Sequence, residues 1–265
     1  MFKKAIRKFL RKIFIFLKYN HKFYINYSIS SLFLKNKPIK NLNKFEKRVY
    51  SQNGEDGIIE IMFDKIGTTN KYFVEFGVED GKECNTRNLR EKKGWNGLIM
   101  DGNGYGNPLI KKEFITAENI NKLFKKYNVP KKFDLLSIDI DFNDYYVWRA
   151  IKKYEPRVVV IEYNSSVPYN EPLVVKYEPK RMWDGTNYFG AGIKALYLLG
   201  KLKGYELVAC DSNGSNAFFV KKELMKNNFV KKTLKEIYMP PKYGKRKKGK
   251  FAGHKMSQEK MIKAK

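Results

Sequence analysis

The sequence predicts an α/β fold: a Rossmann-like, seven-stranded, mainly parallel sheet with a C-terminal antiparallel hairpin and helices on both faces. Three observations predict it. Short apolar runs at 72–77, 97–101, 133–141 and 156–164 alternate with stretches of helical spacing, the pattern of strand–helix–strand units. Several of these runs end in an acid, as strand tips facing a ligand crevice do. The last two runs, 205–211 and 216–221, are joined by Ser212-Asn-Gly-Ser215, which is too short for a crossover and makes them an antiparallel pair.

The elements follow in order. Residues 51–56 carry a helix-start signal, and Ile58, Ile59, Ile61, Met62 and Phe63 form its apolar stripe. Strand 72–77 passes Glu75 and breaks at Gly77 and Gly81, and a helix follows at 84–93. Strand 97–101 ends in Asp101. A short strand is expected at 112–116, then a helix at 118–127 with Ile120, Leu123 and Phe124 at helical spacing. The fourth strand ends in Asp139 and Asp141. Asn143 caps a helix to 154, and the β-branched fifth strand ends in Glu162 and Asn164. A long loop at 165–187 is rich in Pro, Tyr and Trp, and helix 188–204 stops at Gly204.

Charge divides the chain. The formal net charge is +27, yet residues 49–220 carry 24 basic against 23 acidic side chains. Residues 1–48 carry 14 against 1 and residues 221–265 carry 16 against 3. We therefore expect a basic N-terminal extension (1–48), a nearly neutral domain (49–222) and a basic, flexible C-terminal tail (223–265). Segregated charge suits tethering arms around a neutral enzyme, whereas a nucleic-acid-binding core would be basic itself. Phe2, Ile6, Phe9, Leu10, Ile13, Phe14 and Leu17 fall on one helical face with lysines and arginines on the other. Such a helix lies on an anionic membrane surface or docks on the core. The apolar run 13–17 is too short to span a bilayer. The expected location is cytoplasmic, peripheral to the inner membrane face. Cys84 and Cys210 give neither a disulfide framework nor a metal-ligand spacing. His21 and His254 lie in the basic ends, so histidine is not the expected base.

The turn Glu75-Phe-Gly-Val-Glu-Asp-Gly81 and the acid at Asp101 point to a nucleoside ligand. A carboxylate on the second strand tip accepts ribose hydroxyls, as in dinucleotide folds. The turn, however, is Gly-x-x-x-Gly rather than Gly-x-Gly-x-x-Gly, and Glu75 would repel a pyrophosphate. A cationic, phosphate-free nucleoside fits better, and S-adenosylmethionine (SAM) is one.

The segments SQNGEDGII, YFVEFGVEDG, GLIMDGN, LLSIDIDFNDYYVW, VVVIEYN, WDGTNYFGA and SNAFFV together resemble the FkbM-type methyltransferase-like family of the class I SAM-dependent superfamily. The resemblance covers roughly residues 49–222. It implies that Glu75, Gly77 and Gly81 surround the methionyl part of SAM and Asp101 the ribose. Thr116, Ala117 and Glu118 would lie near the adenine, and Asp139 below the sulfonium. It also implies polysaccharide or glycolipid modification.

Strand alternation puts Asp139 and Asp141 on one face, near Glu162 on the neighbouring tip. Several carboxylates in one crevice need cations, hydrogen bonds or raised pKa values. Either they hold Mg²⁺ or Mn²⁺, with Asp139, Asp141 and Glu162 as oxygen ligands, or they form a polar rim. Asp141, Glu162 and Asp139 are the expected catalytic groups: an acceptor hydroxyl must be aligned and lose its proton. Asn164, Tyr169, Trp183, Asp184 and Tyr188 are the expected acceptor contacts, with Tyr163 beside them. The leading expectation is an O-methyltransferase for a saccharide or glycolipid acceptor. An RNA ribose methyltransferase using the basic ends, or an inactive binding module, are the alternatives.

Overall fold

The computed structural model describes residues 37–244, 246–247, 250–251 and 253–264. The helix expected at 1–20 lies outside the described residues. A 3-10 turn (Leu42–Phe45) precedes α1 (Glu55–Ile66). Then follow β1 (Tyr72–Phe76), α2 (Arg87–Lys93), β2 (Asn96–Asp101), β3 (Ile110–Lys112), α3 (Ile120–Lys126) and β4 (Lys132–Ile138). The chain continues through α4 (Asp144–Ala150), β5 (Glu155–Glu162), β6 (Leu173–Val174), α5 (Ile193–Leu202), β7 (Tyr205–Cys210) and β8 (Asn216–Lys221). It ends with α6 (Leu234–Ile237), β9 (Arg246–Lys247), β10 (Lys250–Phe251) and β11 (Ile262–Lys263).

Seven strands form one sheet in the order β3-β2-β1-β4-β5-β8-β7. β8 runs antiparallel to β5 and β7, and the other pairs are parallel. This is the Rossmann-like sheet with a closing hairpin that the sequence predicts. The connection from β3 returns to β4 on the far side of β1. That switch point opens a crevice at the carboxyl ends of β1 and β4.

Period-two alternation builds the two core layers. Val74, Phe76, Leu136, Ile138, Val159 and Ile161 pack against α3, α4 and α5 through Ile120, Phe124, Trp148 and Leu196. Phe73, Leu135, Val158 and Val160 face the other way, toward Ile58, Ile59, Met62 and Leu89 of α1 and α2. At the opposite end of the sheet, the buried Asp134 accepts from the amides of Thr69, Asn70 and Lys71 and from Arg157 Nη1 at 2.9 Å. This ties the entry to β1 against β4 and β5, which fixes where their carboxyl tips emerge.

Five expectations are corrected. The third strand is Ile110–Lys112 rather than 112–116; Phe114 is exposed, and Thr116 brackets the start of α3 through Asn119. Helix 188–204 begins only at Ile193, because Ala191 bridges to Val174. The loop 165–187 contains β6, which pairs with β11. The described residues of the 223–265 segment, expected to form a flexible tail, fold back onto the domain: Phe229 bridges to Ile39, Ile237 is buried, and Lys255 bridges to Thr186. Net charge hid these anchors, since a few apolar side chains spaced along a basic segment suffice to hold it. The division at 48 is likewise no edge of packing, since Ile39 and Leu42 are buried against the α1 side. No helix among the described residues is long and apolar enough to cross a membrane.

Candidate functional site

A cavity of about 600 Å³ opens at the carboxyl tips of β1, β4 and β5. Its floor is made by Gly77 and Asp139. Gly77 has φ +75, and a Cβ there would stand 1.3 Å from the Asp139 carbonyl oxygen. The Asp139 amide donates to Phe76 O at 3.2 Å, and the Gly77 amide to Met100 O at 3.1 Å. Three strand tips are thus drawn together at a point that leaves no room for a side chain.

One wall belongs to the 77–86 turn. Glu75 is buried and accepts from the Asn85 amide (2.8 Å), the Thr86 amide (3.0 Å) and Thr86 Oγ1 (2.5 Å). The carboxylate expected to meet the methionyl group is instead held by donors at the entrance to α2. Burial still pushes its pKa up despite these bonds. Asp101 lies outside the lining. Its Oδ2 accepts from the Glu79 amide and its Oδ1 from the Asn103 amide, at 3.0 and 2.8 Å. Each oxygen keeps a lone pair free for a further donor. Gly81 closes the turn onto Val78 O and abuts Asn107, again outside the lining. The Thr116–Glu118 stretch also lies outside the lining: the Ala117 amide donates to the Tyr177 hydroxyl, which donates to the exposed Glu118.

The acids regroup relative to expectation. β4 ends at Ile138, so its alternation stops before Asp141, which sits in a left-handed turn (φ +64) at the mouth of the cavity. The third member of the cluster is Asp144, in the first turn of α4. One carboxylate oxygen each from Asp139, Asp144 and Glu162 lie within 4.8 Å of one another. Asp144 accepts from the Ile140 amide at 2.8 Å through Oδ1. Its Oδ2 and Glu162 Oε2 are buried without a partner. Burial, then the charges of Asp141 and Asp144, raise Asp139 well above the usual carboxylate range. Burial, then Asp139 and Asp144, do the same to Glu162. Burial first, with Asp141 adding to it, pushes Asp144 up to about 7.

The opposite wall is aromatic and comes largely from sequence given no role beforehand. Trp183, Phe189, Tyr243 and His254 line it. The His254 ring lies 4.6 Å from Trp183, 4.8 Å from Tyr243 and 5.5 Å from Phe189. Burial lowers the His254 pKa below the usual 6.5, leaving a neutral imidazole at neutral pH. The wall is stitched to the domain: the Asn187 amide donates to Lys255 O and the Ser257 amide to Asn187 Oδ1, both at 2.8 Å.

Of the acceptor contacts expected from sequence, Trp183 lines the cavity, with Tyr163 beside it, and the others do not. Asn164 is fully buried and donates to Asn187 O and Phe189 O, so it holds the aromatic loop in place. Tyr169 packs on Tyr238, and Tyr188 packs on Phe142. Asp184 caps its own turn through Thr186. Gln52, Glu55, Asn213, Ser215 and Asn216 complete the lining; Asn216 donates to Glu55 at 2.9 Å. All but Asn213 lie in SQNGEDG and SNAFFV, which carried the family resemblance but gave no hint of a role. In all, eight acids line the cavity, and among the described residues no Lys or Arg does.

No protein-family model matches this chain, nor does any curated protein. Several solved structures resemble it weakly. The crystal structure of TnmH has a TM-score of 0.33 and 13% identity, covering 56% of this chain and 49% of its own. The pyocyanin biosynthetic protein PhzM has a TM-score of 0.32 and 12% identity, covering 62% and 54%. The CMeT domain of the citrinin polyketide synthase has a TM-score of 0.36 and 11% identity, covering 66% and 55%. The chain thus spans about half the length of each. Likeness at this level carries no argument, and the fold rests on the strand order above.

Proposed function

We propose that this protein is a SAM-dependent O-methyltransferase of FkbM type. It acts on a hydroxyl of a saccharide or glycolipid precursor at the cytoplasmic face of a membrane. The observation that carries the reading is the charge of the cavity: eight carboxylic acids and, among the described residues, no Lys or Arg at the sheet's switch point. A dinucleotide would bring a pyrophosphate among those acids. SAM brings an ammonium and a sulfonium, which they complement. The volume is in the range of small-ligand pockets, roughly 300–1,000 Å³. The same lining opposes a phosphodiester acceptor, which counts against RNA.

When bound, SAM supplies a methyl group on a sulfonium and a thioether leaving group. The chain must hold that cofactor, place the acceptor oxygen and take its proton. Gly77, Val78, Glu79 and Asp80 hold the nucleoside end, and Asp101, just outside the lining, braces that turn through the Glu79 amide. Trp183, Phe189 and Tyr243 offer flat faces for a sugar ring, with Asp141 at the mouth to accept from its hydroxyls. His254 is the neutral nitrogen base of the lining and takes the hydroxyl proton.

Calorimetry tests the cofactor. SAM should bind and NAD should not; a chain that binds neither is a binding module. Asp101→Asn should weaken SAM about tenfold or more, the scale of a lost hydrogen bond to a charged acceptor. Undiminished affinity would show that Asp101 does not support the cofactor site. The membrane context is tested by flotation with anionic liposomes. Full-length protein should rise with them and a chain lacking residues 1–20 should not; equal behaviour would place the anchor elsewhere or nowhere.

A further inference from the structure

We infer that Asp139, Asp144 and Glu162 bind one hard divalent cation, of the Mg²⁺, Mn²⁺ or Ca²⁺ class, at the cavity floor. The ligand set differs from the sequence expectation by one residue. Asp141 drops out, because the strand that would have aligned it ends at Ile138. Asp144 enters from the first turn of α4, which stacks its carboxyl under the tips of β4 and β5.

The spacing suits one ion. Oxygen ligands stand about 2.1 Å from Mg²⁺ and about 2.4 Å from Ca²⁺, so opposed ligands lie roughly 4.2 to 4.8 Å apart. The three carboxylate oxygens fall within 4.8 Å of one another, no wider than the span of ligands around one such ion. The second observation is independent of that distance. Asp144 is fully buried, and its Oδ2 has no hydrogen-bond partner. Glu162 Oε2 is in the same position. Among the described residues, no ion pair reaches Asp139, Asp144 or Glu162. Buried acceptors without donors are costly. Three acids converging on one point without a cation are mutually repelled.

The donor chemistry chooses the ion. An oxygen-only set with neither Cys nor His favours hard cations over zinc or copper. The Ile140 amide on Asp144 Oδ1 at 2.8 Å fixes the carboxyl and leaves Oδ2 for the metal, a supporting contact of the kind metal sites use. Binding itself does not depend on the methyl-transfer reading. The ion's use, to hold the acceptor oxygen and make its hydroxyl more acidic, does rest on it.

The test titrates MnCl₂ into chelator-stripped full-length protein and reads bound Mn²⁺ by electron paramagnetic resonance, with MgCl₂ and CaCl₂ as competitors. One Mn²⁺ per chain should bind with a dissociation constant below about 10⁻³ M, within the range of oxygen-ligand sites. Asp144→Asn and Glu162→Gln should each weaken it at least tenfold, while Asp141→Asn changes it less than threefold. Circular dichroism shows which variants are folded, and either folded one suffices. Absence of Mn²⁺ binding at millimolar concentration overturns the inference. So does binding that survives Asp144→Asn and Glu162→Gln, which would come from surface acids, or binding lost with Asp141→Asn alone. SAM calorimetry without metal is scored separately, so failure of this site and failure of the cofactor reading are distinct results.

Discussion

Gly77→Ala is expected to leave no stably folded domain. The left-handed backbone at Gly77 (φ +75) costs a side-chain-bearing residue roughly 1–2 kcal/mol. The larger cost is steric. The new Cβ would stand 1.3 Å from the carbonyl oxygen of Asp139 and 2.5 Å from its carbonyl carbon. That obstacle is backbone of an inner strand tip and cannot swing aside. Relief requires parting β1 from β4 where Asp139 and Phe76 share a hydrogen bond, at the centre of the sheet. A domain whose whole stability is about 5–15 kcal/mol has little margin for that. Thermal unfolding by circular dichroism checks it. Gly81→Ala is the control: its φ is +80, but the nearest atom to its Cβ is the Asn107 side chain at 3.2 Å. It should lower the melting temperature by a few degrees only, in line with roughly 1–2 kcal/mol. A Gly77→Ala protein that melts like wild type would show that the strand tips are not so close. The prediction also changes what Gly77 means. Its missing side chain makes room for Asp139, so loss of cofactor binding in a bulky variant would report on folding and not on the pocket.

The sheet was legible because its inner strands are nearly continuous apolar runs, and such runs have one stable home in an alternating chain. Phe73, Leu135, Val158 and Val160 on one face, and Val74, Leu136, Val159 and Ile161 on the other, are both buried. The site was legible where it sits on strand tips: Glu75, Gly77, Asp139 and Glu162 all line the cavity. It was illegible where the chain leaves the strand. Whether Asp141 or Asp144 joins Asp139 depends on where β4 ends, and side-chain alternation contains no stop signal. Asn164 looked free because its partners, Asn187 O and Phe189 O, are backbone atoms more than twenty residues away. His254 was invisible for a third reason. A lone histidine in a basic segment reads as solvated, and only the pairing of Lys255 with Thr186 and of Gly253 with Gly244 brings it to the cavity.

His254 is also where turnover should be most sensitive. If it takes the acceptor's proton, His254→Ala should lower kcat about 10²- to 10⁴-fold, the usual worth of a positioned general base, with SAM affinity unchanged. Alanine removes more than a base, because the imidazole packs against Trp183, Phe189 and Tyr243. His254→Phe separates the two roles. It keeps a ring among those three and removes the nitrogen. A packing role predicts that Phe restores kcat; a proton-accepting role predicts that Phe is as slow as Ala, with KM for the acceptor closer to wild type. The pH profile gives an independent reading. A base works unprotonated, so activity should fall as pH drops through the His254 pKa. Burial places that point below the ordinary 6.5, so the midpoint of the acid limb of wild-type kcat should lie below pH 6.5. The Phe variant should lack that acid limb. Added imidazole should restore part of the Ala variant's rate by entering the space vacated. A Phe variant with wild-type kcat would remove His254 from the chemistry and return the proton to Asp141 at the cavity mouth.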